Sequence, residues 1–314
     1  MEERLNKVIA RAGFASRRGA DELIQAGRIT VNGKVVTQMG MKVDPFGDEI
    51  FFDGERIRLE HLQNRYIAFY KPRNVITTSS DPFQRSTVMD FIDSNERLFP
   101  VGRLDSNSEG LLILTNDGDL ANQLTHPRYE HEKEYRIKIS GTPLQSTLKK
   151  WRQGMWLEEG RTLPAKVRVE SSTGAGTWLR FVIREGKNRQ IRRMVEAFNH
   201  RIHKLVRLRV GPILLGKLKA GEWRELKPQE LEALRQGSNK PVYHADAPQS
   251  AEQKEKPKYK TGWARPKDKP NRRFDKSPRS KTERRGQKSK TSPSQKLKGK
   301  KAKVKRKPPF GTQA

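Results

Sequence analysis

The chain has 314 residues, room for two or three globular units at roughly 100–200 residues each, and 66 Lys+Arg against 36 Asp+Glu leave a net charge of +30. Hydrophobic residues make up 33%, below the ~45–50% usual in globular chains, so part of the chain is expected to have no core. The absence of cysteine excludes disulfides, thiolate catalysis and cysteine-held iron–sulfur or zinc sites. No apolar run approaches the ~20 residues of a membrane helix, and Met1-Glu2-Glu3-Arg4 lacks a signal-peptide layout. The expectation is a soluble, cytoplasmic protein, away from membranes, bound to something acidic, above all nucleic acid.

Leu5, Val8, Ile9 and Ala12 fall at i, i+3, i+4, i+7 and predict an amphipathic helix ended by Gly13. Arg4, Lys7 and Arg11 form a second stripe, about 115° round from the first at 100° per residue. Ser16 is placed to cap a second helix whose Ala20, Leu23 and Ile24 face inward, with Gly27 at its stop. Arg17, Arg18 and Arg28 crowd its ends. Ile29 to Val36 predicts two strands about Asn32-Gly33, and Glu49 to Phe52 a further strand running into Asp53-Gly54.

Two short helices, basic on one side and followed by a small sheet, suit a platform for structured RNA. Arg4-Leu5-Asn6-Lys7, Ala15-Ser16-Arg17-Arg18 and Gly27-Arg28-Ile29-Thr30-Val31-Asn32-Gly33-Lys34 resemble the S-four RNA-binding domain, over about residues 3–60. The resemblance implies RNA contacts from Arg4, Lys7, Arg11, Arg17, Arg18 and Arg28.

After a linker near 60–64, Arg65 to Tyr70 reads as a buried strand ending at Lys71-Pro72, followed by a polar segment, Asn74 to Thr87, turning at Asp81-Pro82. Phe99 to Gly110 leads into the apolar strand Leu111 to Thr115. Asp105 in that loop would be held by a rigid element yet reach a cleft. Asp117-Gly118 reads as a turn, and Asp119 as the N-cap of a helix from Leu120. Tyr135, Ile137 and Ile139 alternate along a strand. Ile191, Met194, Val195 and Phe198 give a later helix its core face. Arg193 lies almost opposite that face and Arg189 well away from it. Arg192 falls on the border, about 110° from its centre at 100° per residue. A border position suits a partly buried arginine paired with Asp105 and keeping it ionised.

Gly102-Arg103-Leu104-Asp105, with Glu109-Gly110-Leu111-Leu112 behind it, resembles the active-site motif of pseudouridine synthases. Glu132-Lys133-Glu134-Tyr135, Glu185 to Met194 and Gly221-Glu222-Trp223-Arg224 agree with the same family. The match is to the RsuA/RluB/RluE/RluF family of ribosomal RNA pseudouridine synthases, across about residues 3–236. It implies Asp105 as nucleophile, Tyr135 stacking on the base with a possible part in proton transfer, Arg192 as ion-pair partner, and Arg103 entering the space left by a flipped nucleotide. Lys187, Arg189 and Arg193 would face phosphate, and Arg201, His203, Lys204, Arg207 and Arg209 continue the expected RNA face. No cofactor is expected, because the isomerisation conserves atoms and needs neither redox group nor energy source. No metal is expected either, since His126/His131 and His200/His203 lack cysteines or a matched set of carboxylates. Asp105 with Glu109 could suggest a two-carboxylate glycosidase, but four residues across a loop-to-strand junction fix no separation.

From Gly237 onward lie 25 of the 66 basic residues, only 6 of the 36 acidic ones and 9 of the 18 prolines, without periodicity. That stretch predicts a disordered tail able to neutralise phosphates without reading sequence.

The expected organisation is α+β: an S-four module over 1–63, a catalytic domain over 64–236 with a mixed, mainly antiparallel sheet, and the tail over 237–314. The expected function is site-specific pseudouridine formation in ribosomal RNA, with the large subunit (23S) favoured by resemblance alone. The expected enzyme is a bacterial, cytoplasmic monomer acting on ribosomal RNA or a pre-ribosomal particle. A non-catalytic RNA-binding or assembly factor, a synthase for 16S or transfer RNA, and a base-releasing RNA glycosylase stand as alternatives.

Overall fold

Apolar spacing at the start of the chain does what a helix period requires. The computed structural model describes residues 1–59, 63–94 and 96–243. β1 (Glu3–Arg4) runs into α1 (Leu5–Arg11), which buries Leu5, Val8 and Ile9 against Ala20 and Ile24 of α2 (Arg17–Gln25). The Ser16 hydroxyl caps α2 by accepting from the Gly19 amide at 2.9 Å. Asn6 on α1 donates to Asp21 on α2 at 2.9 Å, which fixes how the two helices meet. The helices cover a sheet of β2 (Ile29–Val31), β3 (Lys34–Val36), β5 (Ile50–Phe52) and β6 (Glu55–Arg56), while β4 (Lys42–Val43) pairs with β1. Asn32 and Gly33 both take positive φ, the geometry a two-residue hairpin demands.

The second domain is built on a nine-stranded sheet. Its strands are β7 (Tyr66–Lys71), β8 (Phe99–Val101), β9 (Glu109–Thr115), β10 (Lys133–Ile139), β13 (Lys166–Thr173), β14 (Gly176–Ile183), β15 (Ile202–Val210), β16 (Ile213–Leu214) and β17 (Trp223–Glu225). β11 (Trp156–Leu157) and β12 (Gly160–Arg161) make a separate hairpin. The helices are α3 (Gly118–Thr125), α4 (Gln145–Gln153), α5 (Gln190–Glu196) and α6 (Pro228–Arg235). The main path runs β13-β14-β10-β15-β9-β7-β17. Every pairing in it is antiparallel except β15 with β9, so the expected mixed, mainly antiparallel α+β fold is what the chain adopts.

That parallel junction joins two antiparallel halves. β9 reads as a continuous apolar run because Leu111 to Leu114 are buried on both faces, by α3 and α6 on one side and by Val75 and Val88 on the other. β10 alternates, turning Tyr135, Ile137 and Ile139 toward a core with Trp151 of α4 and Met194 of α5. The Trp151 indole donates to the Met194 carbonyl at 2.8 Å. At the junction Gly110 opposes Arg207, and a Cβ at this glycine would land inside contact distance of the Arg207 carbonyl oxygen and 2.6 Å from its nitrogen.

Two local expectations change. Asp117, not Asp119, caps α3: its carboxylate accepts from the amides of Asp119 and Leu120, both at 3.0 Å, and the helix starts at Gly118. An Asp directly before Gly reaches the exposed amides of the first turn, which leaves Asp119 to pair with Lys7 of α1 at 3.0 Å. Beyond the boundary expected at 236, Ser238 to Val242 still bond to the domain, Asn239 accepting from the Glu132 amide at 2.7 Å and Val242 donating to the Pro212 carbonyl at 2.9 Å. Residues 244–314, most of the expected tail, lie outside the described residues, as do 60–62 of the expected linker. Among the described residues no helix is long and apolar enough to cross a membrane.

Candidate active site

The loop that carries Asp105 is clamped on both flanks. Thr77 Oγ1 donates to the Leu104 carbonyl at 2.7 Å and accepts from the Leu104 amide at 3.2 Å. The Asn74 amide donates to the Ser106 carbonyl at 2.7 Å, and the Ser108 amide to the Asp105 carbonyl at 3.0 Å. Lys71, wholly buried at the end of β7, donates from Nζ to the carbonyls of Pro72 at 2.8 Å, Ser108 at 2.9 Å and Ser106 at 3.3 Å. Burial pulls its pKa down to about 8, against the opposing charges of Asp105 and Glu109.

Into that fixed loop comes Arg192 from α5. Its Nε lies 3.4 Å from Asp105 Oδ2, and its Nη2 donates to Ser108 Oγ at 2.8 Å and to the Asn107 carbonyl at 3.3 Å. The Arg192 side chain is 8% exposed and that of Asp105 36%, so the arginine is buried while the carboxylate faces out. Burial lowers the Arg192 pKa and the charge of Asp105 works against that lowering. Arg189, at positive φ before α5, adds a second cation 3.8 Å from the same oxygen.

Asp105 opens on a cleft of about 520 Å³ over the parallel junction, lined from one half by Gly102 to Asp105, Ile113 and Leu124 and from the other by Tyr135, Ile183 and Leu205. Tyr135 stands directly across from Arg207 in the β10–β15 register. Exposed Arg103 sits on the rim. An oriented carboxylate beside a buried arginine, in a cleft that also holds an aromatic ring, can serve as a nucleophile toward a planar base. Asp105, Tyr135, Arg192 and Arg103 are thus brought to one cleft.

The expected phosphate contacts are placed less uniformly. Arg4, Arg17 and Arg18 are exposed and make no ion pair among the described residues. Lys7 pairs with Asp119, Arg11 with Glu3 at 3.0 Å, and Arg28 with Asp53 while lying 4.7 Å over the Phe52 ring. Lys187 donates to the carbonyls of Arg161 at 2.8 Å and Gly160 at 3.0 Å, Arg193 pairs with Glu159 at 2.7 Å, and Lys204 with Glu109 at 3.3 Å. Glu109 also accepts from the Tyr70 hydroxyl at 3.1 Å, and burial with the Glu109 charge pushes that phenol up to about 12.

Arg207 and Arg209 separate. Tyr135 pairs with Arg207 and Glu134 with Arg209, so Leu208 is an extra residue bulged out of β15. Arg207 therefore joins the cleft, while Arg209 turns to the opposite face and is buried between Glu132 and Glu134, each at 2.9 Å. Arg209 therefore does not belong with the other members of the basic cluster expected to face RNA: its guanidinium is taken up by two carboxylates away from the cleft. Sequence reasoning also passed over Lys71 beneath the Asp105 loop, and it named His131, which lines the cleft, only in setting aside a metal site. Nothing in a lysine before a proline signals burial, whereas strand alternation from Tyr135 does mark Lys133 and His131.

These motifs match known proteins. Residues 65–197 fit the family model described as RNA pseudouridylate synthase, and residues 3–50 fit the S-four domain. The chain is 45% identical over 236 residues to a Bacillus subtilis protein named ribosomal large subunit pseudouridine synthase B, covering 74% of this chain and 96% of that one. It is 38% identical over 242 residues to the Salmonella typhimurium protein of the same name, covering 75% and 83%. A crystal structure of a pseudouridylate synthase superposes with a TM-score of 0.54 at 28% identity, over 74% of this chain and 99% of that one. With the Asp105 loop, the cleft and the amino-terminal module all in place, the chain belongs to the RNA pseudouridylate synthase family, as a member that begins with an S-four domain.

Proposed function

We propose that this enzyme converts a specific uridine of large-subunit (23S) ribosomal RNA to pseudouridine. The observation that carries the reading is the Asp105–Arg192 pair at 3.4 Å, held at the mouth of a cleft that also contains Tyr135. The bond between ribose C1′ and uracil N1 breaks, the base turns, and C1′ joins C5, whose proton is lost while N1 gains one. Asp105 acts as nucleophile, toward either the ring or C1′. Tyr135 stacks on the base and helps move the C5 proton. Arg192 orients the carboxylate, and Arg103 fills the gap the flipped base leaves in the RNA. Taking the base out of its stack costs a few kcal/mol, which an already unpaired target reduces.

Exposed Arg4, Arg17 and Arg18 supply the first RNA contacts of the amino-terminal module, and the catalytic domain runs from 64 to about 242. The chain works as a monomer in the bacterial cytoplasm, on free RNA or a pre-ribosomal particle. The large subunit is favoured by the names of the relatives at 45% and 38% identity. Transcripts carrying tritium at C5 of uridine test the reading, because closing the new bond releases that tritium to water. Release is expected from 23S and not from 16S transcripts; release from neither, or from 16S alone, would overturn it.

A further inference from the structure

Cations around the cleft are mostly matched. Arg192 and Arg189 face Asp105, Lys187 bonds to carbonyls, Arg184 pairs with Glu130 at 3.5 Å, and Arg103 is exposed at the rim. One stretch of wall differs. Lys133 lies two residues before Tyr135 on β10, on the same face and about 6.8 Å along the strand. It lines the cleft, and its ammonium makes no hydrogen bond or ion pair among the described residues. Arg207, across from Tyr135, donates through Nε to the Leu111 carbonyl at 2.7 Å and through Nη1 to the Arg103 carbonyl at 3.5 Å, leaving Nη2 without a partner among the described residues. Lys133 and Arg207 are close enough that burial and then the Arg207 charge bring the Lys133 pKa down to about 8, with Glu185 countering only in part.

His131 continues the same face by two more residues. It is 2% exposed and lines the cleft, yet neither ring nitrogen bonds to a described group. Buried polar side chains are almost always hydrogen-bonded, so an imidazole in this state marks a place for a partner. A wall with two unmatched cations and a buried donor, and no acid bonded to it, fits an anion. RNA offers one anionic group per nucleotide, its phosphodiester; the carbonyls of uracil are neutral and would leave both charges uncompensated.

We propose that Lys133, Arg207 and His131 form a subsite for the backbone phosphate of the nucleotide whose base stacks on Tyr135. The subsite rests on the function proposed above, that the cleft receives a uridine of RNA. It separates the site into a charged end that holds the backbone and the Asp105 end where bonds change. Lys133 and His131 are binding residues in this arrangement, Lys133 contributing charge and His131 a neutral hydrogen bond.

The test uses the full chain and the tritiated 23S transcript over a range of potassium chloride concentrations. Lys133→Gln is expected to raise KM about tenfold, with a smaller fall in kcat. It should also flatten the slope of log kcat/KM against log salt by about one unit, as loss of a single phosphate contact does. Lys133→Arg should restore the slope, which separates charge from misfolding. His131→Phe should raise KM and keep the wild-type slope. An unaltered slope in Lys133→Gln, or a loss confined to kcat, would overturn the subsite while the enzyme's function stands. Wild-type enzyme that releases no tritium from any transcript would overturn the function, and the subsite with it.

Discussion

At the scale of single residues, buried lysines set a measurable signature. Lys71 is held near pKa 8 by burial, below its ordinary 10.5, and Lys133 likewise near 8. A depressed lysine means that between about pH 8 and 10.5 the unfolded chain binds more protons than the folded one, so stability rises with pH across that window. Tyr70 acts in the opposite sense. Its phenol is pushed up to about 12, so above pH 10 the unfolded chain loses the proton first and stability falls. The thermal unfolding midpoint should therefore climb from pH 8 to about pH 10 and then turn over. Lys133→Met should climb less steeply than wild type, and equal climbs would contradict the burial account. Asp105, Tyr135 and Arg192 were legible in the sequence because motif order and helix angle named them, and the fold brings all three to one cleft. Lys71 was not, since only the return of the Asp105 loop over the end of β7 buries it.

At the scale of elements, the junction of β9 with β15 matters most. Gly110 lets the two backbones meet at Arg207, and any side chain there must push them apart. Gly110→Ala should cost at least about 3 kcal/mol, combining a clash with backbone strain at φ +110°. It should lose activity in the fraction that folds, because the Asp105 loop enters β9 one residue earlier. A melting temperature close to wild type would show that the junction can relax. The cap of α3 offers a cleaner contrast. Asp117→Ala should cost about 2 kcal/mol, losing the amides of the first turn and the Tyr66 hydroxyl at 2.8 Å. Asp119→Ala, losing one exposed ion pair, should stay within about 0.5 kcal/mol in urea unfolding. Strand and helix periodicity placed these elements, but neither the shift of the cap by two residues nor the bulge at Leu208 leaves a periodic trace. The bulge alone decides that Arg207 serves the cleft and Arg209 a buried carboxylate pair.

At the scale of the whole molecule, charge supplies reach and the cleft supplies chemistry. The amino-terminal module touches the catalytic domain through Lys7 and Asp119, an exposed pair that contributes little on its own. The basic stretch from 244 onward should add affinity without sequence reading. Deleting 244–314 should weaken binding to ribosomal RNA and flatten its salt dependence, while tritium release at saturating enzyme persists. An unchanged salt slope would remove the tail from RNA binding. The order of the two domains and the mixed sheet are legible in the amino-acid sequence, because several motifs follow one another along the chain and each fixes its neighbour's context. The cleft between the two halves of the sheet is not, since it depends on the single parallel pairing that joins them.

The central claim is that Asp105 performs uridine isomerisation at one address in ribosomal RNA. Carbodiimide mapping of pseudouridine across all ribosomal RNA tests it, in cells lacking the gene and in the same cells complemented with wild type or Asp105→Asn. One 23S site should vanish on deletion, return with wild type, and stay absent with Asp105→Asn at equal protein level. Restoration of the site by Asp105→Asn, or no change in any ribosomal site on deletion, would contradict it.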